Sequence, residues 1–164
     1  MSASFDSSQF RAVLGHVPTS VVVVTGLNAQ GTAFGITIGS FASVSLDPPL
    51  VGFFPGVRSQ SWAAIRESGR FCVNVLGSHQ EEACWRFAKE GDDKFAGVDW
   101  LPSEGGSPVL PGSIAWIDCE IDSETVMGDH TCVVGRVTSL DHAEEVQDAM
   151  VFFRGKVSSV KHGG

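Results

Sequence analysis

The sequence predicts a mainly β protein with short helices, closed into a small antiparallel barrel. Three observations predict it. Stretches such as "RFCVNVL" (70–76) and "IAWIDCEIDSETV" (114–126) alternate apolar and polar residues with a period of two. Most such stretches are joined by short turns, which favours antiparallel pairing. Helical patterns are few and short, so closing the sheet on itself is the economical way to remove its exposed edges. The helices are expected to pack at the ends of the barrel.

The elements follow in order. The tail "MSASFDSSQ" (1–9) is polar and expected to fray. A helix starts near Asp6 or Ser7, with Phe10, Val13, Leu14 and Val17 on one face, and Pro18 ends it. "SVVVVTG" (20–26) is a buried strand by its β-branching, and "NAQG" (28–31) is a hairpin turn. The long stretch "GITIGSFASVSL" (35–46) reads as one strand, ended by "DPP", and residues 50–54 are the next. Ser59 caps a second helix that turns Trp62 and Ile65 inward and stops at Gly69. Residues 70–76 are a strand. A third helix opens on a Ser78/Glu81 capping box and ends at Gly91. A Gly/Pro/Ser-rich loop covers 92–113, two strands flank the turn "MGDH" (127–130), a helical turn covers "DHAEEV" (141–146), and "AMVFFRG" (149–155) is the last strand. The count is about seven strands and three helices.

At 164 residues the chain is expected to form a single domain over 1–164. No apolar run approaches the ~18 residues that cross a bilayer, and no basic flank precedes an apolar core at the N-terminus. No membrane contact and a cytoplasmic location are therefore expected. The four cysteines (72, 84, 119, 132) share no C-x-x-C spacing, so they read as reduced, packed thiols rather than metal ligands. A net charge of −8 without a Lys/Arg cluster argues against nucleic acid. An anionic ligand would have to be held locally, by backbone N–H groups, hydroxyls and a few placed cations.

The chemistry-bearing residues are sparse. No P-loop, dinucleotide fingerprint, nucleophile elbow or H-E-x-x-H is present. One face of the 35–46 strand carries Thr37, Gly39, Phe41, Ser43 and Ser45. It is either a ligand wall of small hydroxyls or a solvated sheet face. Gly35 and Gly39 leave room for a ligand to approach the backbone. "RSQSW" (58–62) sets Ser59, Gln60, Ser61 and free N–H groups beside Arg58, suited to an anion or simply to capping a helix. His130, after Gly128 and Asp129, is either a ligand contact or a turn residue.

"PTSVVVVT", "GITIGSFASVSLDPPLV", "RSQSW", "FCVNVL", "KFAGVDW", "GDH" and "FFRG" occur in this order over residues 18–155. Together they resemble the short-chain flavin reductases, the reductase components of two-component flavin-dependent monooxygenases. The T-x-x-x-F-x-S-V-S-L-x-P-P-L block from Thr37 is the most specific part. The resemblance implies a split β-barrel of the FMN-binding type and a homodimer. It also implies an NAD(P)H:flavin oxidoreductase that uses NADH or NADPH to reduce FMN or FAD by hydride transfer from nicotinamide C4 to flavin N5. The reduced flavin passes to a separate oxygenase component. By the same resemblance Thr37, Ser40, Phe41 and Ser43 line the isoalloxazine and ribityl chain, and Ser59, Gln60 and Ser61 meet the phosphate. Phe71, Val73 and Asn74 lie on the neighbouring strand of the pocket. Lys94 and Phe95 sit in a loop over the flavin, and His130 and Arg154 face the nicotinamide. Many relatives carry Ser or Asn at the position of Gly39, and a Tyr soon after the Arg-Gly pair where this chain has Lys156 and Val157. No acid–base residue is required, since the two cofactors carry the hydride chemistry. A non-catalytic flavin carrier on the same barrel is the alternative. An oxidase of a phosphorylated vitamer would call for more cations near the phosphate than this chain offers.

Overall fold

The computed structural model describes residues 4–91, 93–145 and 148–163. Helices α1 (Ser7–Leu14), α2 (Gln60–Ile65) and α3 (Glu81–Ala88) interrupt twelve strands. The strands are β1 (Thr19–Ser20), β2 (Val22–Leu27), β3 (Ala33–Ile38), β4 (Ala42–Ser45), β5 (Leu50–Phe53) and β6 (Arg70–Val75). They continue with β7 (Leu101–Pro102), β8 (Pro108–Val109), β9 (Ala115–Met127), β10 (His130–His142), β11 (Ala149–Phe153) and β12 (Lys156–Val160).

Seven strands form the main sheet in the order β3-β2-β6-β9-β10-β5-β4, and every neighbouring pair is antiparallel. Its two edges, β3 and β4, are consecutive in the chain, joined only by residues 39–41. A flat sheet of this size would be ~29 Å wide at ~4.8 Å per strand. The link from residue 38 to residue 42 reaches at most ~14 Å, at about 3.6 Å per step. The sheet must therefore coil until its edges nearly meet. It stays open between β3 and β4, which makes it a split barrel rather than a closed one. The long strand expected over 35–46 is thus two strands on opposite edges. The break falls at Gly39–Phe41, where the Ser40 hydroxyl accepts a hydrogen bond from Phe54 N at 3.0 Å.

The barrel interior is filled by Val22, Val24, Val51, Phe53, Phe71, Val73, Cys119 and Val133, and α2 plugs it with Trp62 and Ile65. Phe53, Phe71 and Trp62 meet edge to face with ring centroids 5.2–5.9 Å apart, the arrangement the ring quadrupoles favour. The ring of Phe71 fits because β10 carries Gly135 opposite it; a Cβ there would lie 2.4 Å from Phe71 Cζ. Helix α3 packs on the outer face instead of at a barrel end, where Cys84 and Phe87 join Val21, Val23, Leu76, Leu110 and Met150. Strand β2 is therefore buried on both faces, as its unbroken valine run requires.

Local departures from the sequence reading have local causes. Helix α1 begins at Ser7 with Asp6 accepting from Gln9 N, so 7–9 of the expected tail are helical; residues 1–3 lie outside the described residues. Ser78 and Glu81 form no capping box: Gln80 Oε1 reaches back to Gly77 N at 2.9 Å, and α3 ends at Ala88, before Gly91. The expected helical turn at 141–146 is strand through His142 and a bend at 144–145, and residue 146 lies outside the described residues. Strand β12 lies beyond 149–155, the last strand expected. It pairs with β11 across the turn Arg154–Gly155, where both residues have positive φ (51° and 76°), the requirement of a two-residue type I′ hairpin.

Candidate functional site

A cleft of about 970 Å³ opens along the edge strand β3, at the upper end of the usual range for small-molecule sites. Four segments build it. Strand β3 contributes Ile36 and Thr37, the segment into α2 contributes 56–61, the end of α3 contributes Phe87–Gly91 with Lys94, and the β9–β10 hairpin tip contributes Gly128–His130.

Each side chain is held by a local device. Ser59 caps α2, its hydroxyl accepting from Trp62 N at 3.1 Å. That leaves its O–H free to donate. Ser61 is buried in the first turn, while Gln60 and Arg58 are exposed. Lys94 crosses from the loop after α3 and donates to Gly35 O and Phe87 O, both at 3.1 Å. One of these is an edge-strand carbonyl and the other a helix-end carbonyl, two groups that regular structure leaves without partners. Burial lowers the Lys94 ammonium below its usual value, and Glu90 opposes that shift. Gly128 sits at φ 63°, first in the two-residue loop of the β9–β10 hairpin, which leaves His130 opposite Met127. Nδ1 of His130 donates to Asp129 Oδ1 at 2.7 Å, so Nε2 is left for a ligand. The hydrogen bond from His130, then its charge, holds the Asp129 carboxyl below its ordinary value.

The cleft thus carries three cations (Arg58, Lys89, Lys94) against two carboxylates (Glu90, Asp129). A chain of net charge −8 keeps a locally basic site, as anion binding here demands. Isoalloxazine, ribityl and phosphate groups fit this donor set: an apolar edge at Ile36 and Phe87, main-chain and hydroxyl donors at 56–61, and cations at the rim.

Of the residues singled out from the sequence, the structure brings Thr37, Arg58, Ser59, Gln60, Ser61, Lys94 and the Gly128–His130 turn to this one cleft. It does not bring the others. Phe71 and Asn74 have no exposed surface. Phe71 points into the barrel, and Asn74 donates to Val23 O and Pro108 O and accepts from Leu110 N, fastening the 103–110 loop to the sheet. Val73 belongs to the same core as Phe71. Phe41 packs against the main core, and Ser40 ties the edge break to Phe54. Ser43 lies on β4, across the split from Thr37. The single hydroxyl wall therefore does not form. Thr37 itself donates to Cys84 O at 2.7 Å, docking α3 on β3. Phe95 packs against Phe87 with centroids 4.9 Å apart and the rings tilted by 58°. The space at Gly35 is filled by the Phe87 ring, 2.7 Å from where a Cβ would stand, and not by a ligand. Arg154 sits in the β11–β12 turn, its N–H bonded to Gly15 O. Ile36, Phe87, Lys89 and Glu90 line the cleft although the sequence gives them no role. The Lys-Glu-Gly close of a helix is the only signal for the last pair.

Residues 14–161 match the family model described as a flavin reductase like domain. A flavin reductase of Pseudomonas putida is 46% identical over 153 residues, 93% of this chain and 89% of that protein. The HsaB reductase subunit of a flavin-dependent monooxygenase from Rhodococcus jostii is 45% identical over 158 residues, 96% of this chain and 80% of that protein. The crystal structure of a nitrilotriacetate monooxygenase component B homologue from Mycobacterium thermoresistibile superposes with a TM-score of 0.90 at 43% identity, covering 95% of this chain and 87% of that one. The fold is thus shared with a protein of nearly this length, and the chain belongs to the flavin reductase like domain family.

Proposed function

We propose that this chain, as a single domain, is an NAD(P)H-dependent flavin reductase, the reductase component of a two-component monooxygenase, and that the β3-edge cleft is where the two rings meet. The observation that carries the assignment of the site is the cleft itself: about 970 Å³, locally basic in an acidic chain. The flavin and the nicotinamide supply the hydride chemistry between them. The chain's residues bind and orient. Arg58, Gln60 and the hydroxyls of Ser59 and Ser61 meet the flavin phosphate. Ile36 and Thr37 lie along the ring, Lys94 offers the N–H not engaged by Gly35 and Phe87, and Nε2 of His130 faces the nicotinamide. No side chain is asked to move a proton. The contacts are few and mostly at the rim, which suits a flavin that must leave for a separate oxygenase.

The active unit is a homodimer in this reading. Helix α1 supports it: Phe10, Val13 and Leu14 on the helix and Val17 just beyond it are each about half exposed or more, and none of the helix is buried. A second copy would cover them. Among the described residues no helix is long and apolar enough to cross a membrane, and we place the protein in the cytoplasm. Oxidation of NADH and of NADPH, followed with FMN and with FAD, tests the function. Multiple turnovers of free flavin support it, and reduction limited to one equivalent refutes it in favour of a carrier. Light scattering at micromolar protein tests the dimer.

A further inference from the structure

A second pocket of about 270 Å³ lies beyond Ser59 and shares Gly56, Val57 and Ser59 with the main cleft. Trp62, Ala63, Arg66, Glu124, Val126 and Thr131 complete it. Gly56, common to both linings, puts no side chain between them, and the space beside it is open. The pocket is smaller than the usual site for a whole ligand and has the dimensions of an appendage. Its polar floor is pre-ordered. Glu124 accepts from Trp62 Nε1 at 2.9 Å through one oxygen and from Arg66 Nη2 at 2.7 Å through the other. Oε2 also accepts from Arg66 Nε at 3.2 Å and is filled; Oε1 keeps a lone pair for a further donor, and the Arg66 side chain remains about half exposed. Val57 and Val126, both exposed, are apolar walls on which a flat base could lie.

We propose that this pocket takes the adenosine 5′-phosphate half of FAD. The inference rests on the flavin reading of the main cleft, since it is the flavin phosphate at Ser59 that points the rest of the molecule over Gly56. Arg58 and Arg66 then flank the two phosphates, Glu124 Oε1 accepts from one ribose hydroxyl, and the valines cover the adenine. FMN fills only the first cleft, so the second sets a preference for FAD. An adenosine phosphate is also part of NAD(P)H, and the test separates the two sources.

Calorimetric titration with oxidised FAD and FMN gives the two dissociation constants without turnover. FAD is expected to bind about tenfold more tightly than FMN. Two fillings of the pocket from different elements, Ala63→Phe on exposed α2 surface and Val126→Phe on β9, are expected to erase that ratio by weakening FAD alone. Equal affinities in the unaltered protein, or variants that weaken both flavins alike, overturn the proposal. With FMN as acceptor, the KM for NADH is compared with that for reduced nicotinamide mononucleotide. A variant that raises only the NADH value assigns the pocket to the nicotinamide dinucleotide and overturns the FAD assignment. Failure of the flavin reading is seen separately, as absence of FMN binding and of NAD(P)H oxidation in the unaltered protein.

Discussion

Replacing Lys94 by Met should cost both stability and flavin affinity. The ammonium bonds Gly35 O and Phe87 O at 3.1 Å each. Methionine keeps the stem but donates nothing. A hydrogen bond to a charged group contributes about 1.5–3 kcal/mol, so two of them bound the loss at roughly 3–6 kcal/mol. The site opens on the cleft, where water can reach the freed carbonyls and return part of that. A net loss of about 2 kcal/mol is the expected outcome, or ~4–8 °C in Tm for a domain of this size. Lys94→Arg should recover part of it, since a guanidinium can still donate to both carbonyls. Thermal unfolding without ligand reads the first effect. The second is read in KM for flavin, expected to rise with kcat nearly unchanged, the mark of a contact present in ground and transition states alike. An unfolding midpoint within a degree of the parent would refute the reasoning, because the two carbonyls would then have had equivalent partners all along.

The other expectations are narrower. Ser59→Ala with Ser61→Ala should raise the flavin KM about tenfold or more by removing hydrogen bonds to a phosphate; the accompanying loss of the α2 cap, ~1 kcal/mol, appears in Tm and not in KM. His130→Ala should raise the KM for NAD(P)H by roughly two- to twelvefold, the span of an ordinary hydrogen bond of about 0.5–1.5 kcal/mol, and an unchanged value would return His130 to a turn residue. Asp129, held low by His130, should titrate below 3.8 by carbon-detected NMR and return upward in the His130→Ala protein; its ionised form contributes stability above the ordinary value, lost as pH falls through the lowered one. Burial pushes the Cys72 thiol up to about 12, and Cys84 and Cys119 are also buried and raised. At pH 8 a thiol reagent should therefore find Cys132 at most in the native protein and four thiols after denaturation; rapid labelling of Cys72 would contradict its burial.

Periodicity made the strands legible because it is a property of neighbours in the chain. Residues 70–75 alternate, and they are β6. What periodicity could not show is which face has a cover. Asn74 and Asp118 fall on the polar side of their alternating strands, yet both are fully buried because the loop at 103–110 folds over that face. Its anchors are Leu110 N on Asn74 Oδ1 and Gly105 N on Asp118 Oδ2. The same limit explains Phe71: its side of β6 is inside the barrel only because β10 supplies a glycine opposite. The site residues that were legible came in short local patterns, a Ser-capped helix start and a Gly-Asp-His turn. Those that were not, such as Ile36 and Phe87, are ordinary apolar residues that reach the cleft through tertiary placement alone.

The break at 39–41 explains why the cleft lies where it does. Had residues 35–46 stayed one strand, the sheet would have had no reason to bring β3 round to β4. With the break, the two edges are held within ~14 Å, and β3 is left with an unpaired edge. That edge is a liability in water. The chain meets it with α3, docked by Thr37 on Cys84 O and by Lys94 on Gly35 O and Phe87 O. The cleft opens where this cover runs out, past Ala88 and below the 128–130 tip. Of the hydroxyls that read as a ligand wall, Thr37 is engaged in closing the fold, and Ser43 and Ser45 lie on the other edge. In the proposed reading, binding is left to backbone groups, the cap Ser59, its neighbour Ser61 and a few cations, contacts sparse enough to let a reduced flavin leave.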